Sequence, residues 1–172
     1  GPAGARPQRQ QGSAVAGAVK LAERITRGIL RNPDYADLPR KFNISTTGCT
    51  GNCTPSETQD LALVPACREG ATGFNILVGG KQGSGGMVPA SSLDAFVMEE
   101  EAAAVAREII LLFRDHGPRG ERGRCRLAFL IASWGVERFR EELVKRLGRP
   151  LAPAGEDLRT RDFREDHLGL QP

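Results

Sequence analysis

The sequence predicts an α+β fold on two observations. Apolar–polar alternation, the mark of strands, is concentrated in residues 42–80. Helical periodicity dominates from residue 99 onward, so that after one opening helix the strands come first and the helices follow. No internal repeat is visible. The chain has 172 residues, 40% of them hydrophobic and 26% charged, an ordinary globular balance with length enough for a sizeable core.

The opening helix lies within 14–31, where Val15, Val19, Ile25, Ile29 and Leu30 are spaced for one face. Asn32-Pro33 ends it, because a proline disfavours helical geometry in the residue before it. Phe42, Ile44 and Thr46 then alternate with polar neighbours as a strand. DLALVPA (60–66) and GFNILVGG (73–80) read as two more strands, with ACREGAT as the turn of a hairpin. The loop GGKQGSGG (79–86) fails the P-loop test: Lys81 is followed by Gln82, and Asn75 holds the required earlier glycine position. It reads as a flexible connector. Glu99, Glu100 and Glu101 complement a helix N-terminus, and the helix they open is apolar and ends at Gly117-Pro118. Two helices follow, in RCRLAFLIASWG and VERFREELVKRLG, with Gly135 as a break and Gly148-Arg149-Pro150 as a stop.

Residues 1–13 lack a starting Met and the apolar core of a signal peptide, and read as a disordered tag or linker. Residues 14–150 form the folded module. The polar tail, 151–172, wraps or trails.

Composition excludes several function classes. No apolar run approaches the ~20 residues that cross a bilayer. Net charge is only +3 and aromatics are 5%, so the basic runs at 119–126 and 144–149 lack the stacking surface that nucleic-acid binding needs. The run at 119–126 reads as a solvated helix face. Four cysteines without a secretion signal indicate a reducing compartment, by default the cytoplasm, where the two N-x-S/T sequons carry no meaning.

GCTGNC (48–53) is the stretch that looks chemical. Cys49 and Cys53 could be metal ligands, a disulfide, or a loop without chemistry. Zinc and iron–sulfur clusters both want four ligands. Cys67 and Cys125 are isolated, and His116 and His167 fall at a helix end and in the tail, so the pair looks like half of a site. Glu141-Glu142 and Glu165-Asp166 read as solvent-facing.

The order NPDYADLPRKFNISTTGC, ETQDLALVPA, GFNILVGGKQGSGG and FRDHGPRGERGRCRLAFLIASWGVERFREELVKRLG resembles one half of the siroheme-containing nitrite and sulfite reductases. The resemblance runs from about 14 to 165 and is strongest to the ferredoxin-dependent nitrite reductase branch. It implies a mixed or antiparallel sheet with helices packed on one side. Members of the family hold siroheme and a [4Fe–4S] cluster between two pseudo-twofold repeats. The cluster cysteines lie in the second repeat, as C-x₅-C and later C-x₃-C. LPRKFN belongs to the first repeat, so this chain resembles the first, with the tail leading toward a second half. Cys49 and Cys53 then echo the C-x₃-C spacing without binding the cluster, and no metal is assigned to them.

The resemblance further implies that Arg40 and Lys41 face the siroheme and its bound anion. Sulfite reductases resemble one another in Lys-x-Lys at this place, nitrite reductases in Lys-x-Asn; Lys41-Phe42-Asn43 is the nitrite form. The implied function is six-electron reduction of nitrite to ammonia, with ferredoxin as donor and the second repeat as partner, and with this fragment alone inactive and without bound cofactor. The alternatives are a sulfite reductase repeat, a non-enzymatic half-repeat that pairs with a partner or itself, and a small cysteine metal module.

Overall fold

The computed structural model describes residues 16–51, 54–83 and 86–159. Among the described residues four α-helices pack together over a mixed sheet: α1 (Ala16–Ile29), α2 (Glu99–His116), α3 (Leu127–Trp134) and α4 (Val136–Leu147). The strands are β1 (Ile44–Thr46), β2 (Leu61–Arg68), β3 (Ala71–Val78), β4 (Ser91–Val97) and a short β5 (Glu156–Asp157). Their order is β1-β2-β3-β4; β1 runs parallel to β2, and the β2–β3 and β3–β4 pairs are antiparallel. β5 pairs antiparallel with the far end of β2, beyond β1. The expected α+β fold, a mixed sheet with helices on one side, is the one observed.

Alternation explains the layering. Leu61, Leu63, Phe74, Ile76, Val78, Leu93, Ala95 and Val97 point to the helices and join one core with Leu21, Ile109, Phe113, Phe139 and Leu143. The opposite face has a small cluster, Ala62, Val64 and Leu77, capped by Ala90. In α1 the buried stripe is Ala18, Leu21 and Ile25, with Ile29 packed at its edge. Val19 and Leu30, expected on that face, are 70% and 65% exposed. They lie off the 18–21–25–29 stripe by about a residue's rotation, ~100° of helix.

The hairpin is tighter than the sequence suggests. Both strands run on to a two-residue turn in which Glu69 (φ 51°) and Gly70 (φ 79°) are left-handed, so most of ACREGAT is strand. Turns with both residues in that region match the right-handed twist of the flanking strands and let pairing continue to the tip. β4 was not anticipated. Its buried Leu93, Ala95 and Val97 do alternate, but the segment is short and follows a glycine-rich loop. Helix boundaries match expectation: Asn32 caps a 3₁₀ turn after α1, Gly135 (φ 78°) separates α3 from α4, and left-handed Gly148 ends α4.

The start of the tail wraps the sheet. Leu151 is buried, Ala152 O accepts the Phe96 N–H at 2.9 Å, and β5 follows. Asn75 holds this segment with both ends of its amide, accepting the Gly155 N–H and donating to Gly155 O, each at 2.8 Å. Asn75→Ala should therefore cost about 1–3 kcal/mol through the unpaired backbone groups it leaves. The check is denaturant unfolding together with amide exchange at Gly155, which should speed up more than exchange in β2.

Candidate anion site at the Arg40–Asn43 segment

The path into this segment is stitched to the end of α2. Arg114 Nη1 donates to Asp34 O at 2.8 Å, and Arg119 donates to Asp37 Oδ1 at 3.0 Å and to Asp37 O at 2.8 Å. Asp115 beside them is held below the usual carboxylate range, first by its hydrogen bond from Arg114 and then by Arg146. Leu38 and Phe42 then pack on the core, and the Phe42 ring lies 5.5 Å from that of Phe113.

With Phe42 and Ile44 packed against the core, alternation turns Lys41 and Asn43 outward, and both are exposed; Arg40 is half-buried. Two cations and an amide thus stand within four residues directly ahead of β1. The main chain there is fixed from behind. Asn43 O accepts the Leu61 N–H at 3.1 Å, which extends the parallel ladder, and the Asn43 N–H donates to Asp60 Oδ2 at 2.8 Å.

Asp60 is the residue that sequence reasoning missed. It is fully buried and receives Arg126 Nε on Oδ1 at 2.9 Å and Arg126 Nη2 on Oδ2 at 2.6 Å. Its carbonyl accepts the Gly79 N–H at 2.8 Å. Three stretches that looked separate in sequence therefore meet at one residue: LPRKFN and the end of the basic run at its carboxylate, and the glycine loop at its backbone carbonyl. That run is not a helix face. It holds a 3₁₀ turn at Arg122–Arg124, and Arg126 is buried, although Arg122 and Arg124 are exposed as expected. The available signal was an acid directly before the apolar run LALVPA and a base directly before LAFLIA, each at the mouth of a buried element.

The described part of the glycine loop is pinned rather than a free connector. Lys81 and Val88 exchange backbone hydrogen bonds of 2.8 Å each. The Lys81 side chain is buried, donating to Gly86 O at 3.2 Å with its ammonium 5.9 Å from the centre of the Phe129 ring. A Cβ on Gly80 would meet Gln59 O at 2.4 Å and Glu57 O at 2.5 Å, so this glycine is demanded by the backbone behind it.

Cys49 is half-buried in the loop after β1, and Cys53 lies outside the described residues. Thr47 Oγ1 bonds Thr54 Oγ1 and Ser56 Oγ, each at 3.0 Å, and so closes the base of that loop. Cys125 is buried and donates to Glu121 O at 3.0 Å. Among the described residues no three His, Cys, Asp or Glu side chains group as metal ligands. The His116 ring lies against that of Trp134, with centres 5.0 Å apart and planes tilted by 53°, and His167 is outside the described residues.

The chain is similar in sequence and in fold to known proteins. The ferredoxin–nitrite reductase of Synechococcus elongatus is 40% identical over 153 residues, covering 88% of this chain and 30% of its own. The assimilatory ferredoxin-dependent nitrite reductase of Haloferax mediterranei is 41% identical over 145 residues, covering 81% of this chain and 25% of its own. The chain thus spans less than a third of the length of these relatives. The solved NirA protein of Mycobacterium tuberculosis superposes with a TM-score of 0.81 at 32% identity, over 93% of this chain and 30% of that one. Dissimilatory sulfite reductase I shares the fold alone, with a TM-score of 0.58 at 15% identity over 95% of this chain and 55% of that one. Residues 8–151 match the family described as the nitrite and sulphite reductase 4Fe-4S domain, and the chain belongs to that family.

Proposed function

We propose that this chain is the first siroheme-binding repeat of an assimilatory ferredoxin–nitrite reductase, an oxidoreductase that takes nitrite to ammonia with six electrons. The observation that carries the reading is the outward pairing of Lys41 with Asn43 while Phe42 is locked against Phe113. The ferredoxin-dependent nitrite reductases among its relatives support the reaction and the donor. The second repeat is the partner that completes the enzyme, nucleic acid and membrane are not partners, and the compartment is the cytoplasm. Among the described residues no helix is long and apolar enough to cross a membrane.

The residues fit an anionic cofactor. Half-buried Arg40 and exposed Lys41 would offset the siroheme carboxylates, and a cation held beside the anion would stabilise its negative charge. In this reading the Lys41 ammonium would also deliver protons as the anion is reduced. Siroheme, when bound, supplies the iron centre through which electrons reach the substrate. In this reading the cluster ligands belong to the second repeat and the fragment alone is inactive; the described His, Cys, Asp and Glu side chains, which do not come together in threes as metal ligands, support it. Replacing Cys49 and Cys53 together with Ser in the full-length enzyme should leave iron and acid-labile sulfide per chain unchanged. Loss of the cluster with siroheme retained would show that these thiols are ligands.

Asn43 is what selects nitrite over sulfite in this reading. Sulfite carries more negative charge near neutral pH, so Asn43→Lys should favour it. A cation about 4 Å from the anion contributes at most ~4 kcal/mol at an effective dielectric near 20, before desolvation and screening. A net ~1 kcal/mol is still a several-fold rise in the ratio of sulfite to nitrite kcat/KM. Steady-state kinetics of the full-length enzyme with each anion tests this, and a ratio that stays or falls removes Asn43 from the site.

A further inference from the structure

Asp60 and Arg126 are 66 residues apart in the chain and meet where water does not reach, Asp60 with no exposed surface and Arg126 at 6%. Such a pair is a poor source of stability, because the cost of stripping water from both charges offsets much of their attraction. It does hold a third group in place. Oδ2, already gripped by Arg126 Nη2, accepts the Asn43 N–H, while Leu61, the residue after Asp60, donates its N–H to Asn43 O. Both peptide groups of residue 43 are therefore tied to positions 60 and 61. The direction of its side chain, and of Lys41 two residues earlier, follows from that tie.

Arg126 is itself a rigid support. It occupies the N-cap position of α3, and both of its hydrogen bonds to Asp60 come from one planar guanidinium. A carboxylate held at both oxygens cannot rotate away from the amide it accepts. Asp60 O also takes the Gly79 N–H, so the same residue fixes the entry to the glycine loop.

We infer that Asp60 and Arg126 are positioning residues for anion discrimination, setting the backbone of Asn43 and thereby the geometry in which Lys41 and Asn43 meet the bound anion. The inference rests on the reading of Lys41 and Asn43 given above. A pair that served only the fold would be replaceable by apolar side chains with no change in the choice of anion. A pair that positions Asn43 would not.

The experiment uses the full-length reductase with Asp60→Leu/Arg126→Met, which removes both charges at once and leaves neither stranded. Siroheme absorption and the thermal transition should be retained. The nitrite kcat/KM should fall about tenfold, and the ratio of nitrite to sulfite kcat/KM should shift about threefold or more, because misplaced groups lose catalysis steeply. Arg126→Lys keeps the charge and loses the planar fork, so it should move the ratio the same way by less; it decides the matter where the double variant loses siroheme. Equal losses on both anions, with the ratio unmoved, would show a purely structural pair and overturn the inference. Asn43→Lys, measured alongside, separates the two levels. If it shifts the ratio and the pair variants do not, positioning fails and the reading of Asn43 stands. If Asn43→Lys leaves the ratio unmoved, the reading of Asn43 fails first and the positioning role falls with it.

Discussion

Arg126→Ala should destabilise the chain by about 3–5 kcal/mol, the cost of leaving a buried charge without its partner. Asp60 has no exposed surface, and after the truncation its carboxylate would keep only the Asn43 N–H of its three side-chain hydrogen bonds. Against the ~5–15 kcal/mol by which a domain is usually stable, the loss is severe. Urea unfolding of the full chain, with and without the change, reads it directly. Removing the Asp60 charge as well, in Asp60→Leu/Arg126→Met, should restore most of the stability. A single variant that loses less than ~1 kcal/mol would mean that the pair is not enclosed as described.

Phe113→Ala should cost a similar ~3–5 kcal/mol, for a different reason. Phe113 is fully buried in α2 and is among the largest side chains of the core. Its ring meets Phe42 at 5.5 Å with a 39° tilt, so its loss leaves a cavity and removes an aromatic contact of about 0.5–1.5 kcal/mol. The consequence reaches beyond stability, because Phe42 is the inward anchor between Lys41 and Asn43. Hydrogen exchange should accelerate at residues 40–44 more than at the β2–β3 hairpin. Phe113→Leu, which leaves a smaller void, should lose markedly less on both counts. Uniform acceleration across the chain would show that Phe113 holds the core without holding the segment.

Several features were legible because they are local. The apolar run of α2, the proline after α1, and the glycines at 135 and 148 all act within a turn of where they stand, and the helices formed at those limits. Alternation across Phe42 and Ile44 also set which side Lys41 and Asn43 would face. The hairpin was legible as a hairpin but not in its register. Glu69-Gly70 fixes that, and the sequence ACREGAT did not single those two residues out as the turn.

The candidate site was legible only in its outer part. Arg40, Lys41 and Asn43 could be read from the motif they form, whereas Asp60 and Arg126 each looked like one charge among many. A charge declares its role when it is stripped of water, and that depends on which element folds over it. Arg126 is buried because α3 begins against the mouth of β2, an encounter between residues 66 positions apart that no spacing rule encodes. The same holds for Asn75, whose amide finds Gly155 across 80 residues, and for β5, two exposed acidic residues made a strand by the free edge of β2. Local periodicity, stops and the inward–outward order of LPRKFN were set by the amino-acid order alone. Which polar groups would be enclosed together, and so hold that segment still, was settled by long-range packing, because desolvation and its compensation arise only when distant parts of the chain close on one another.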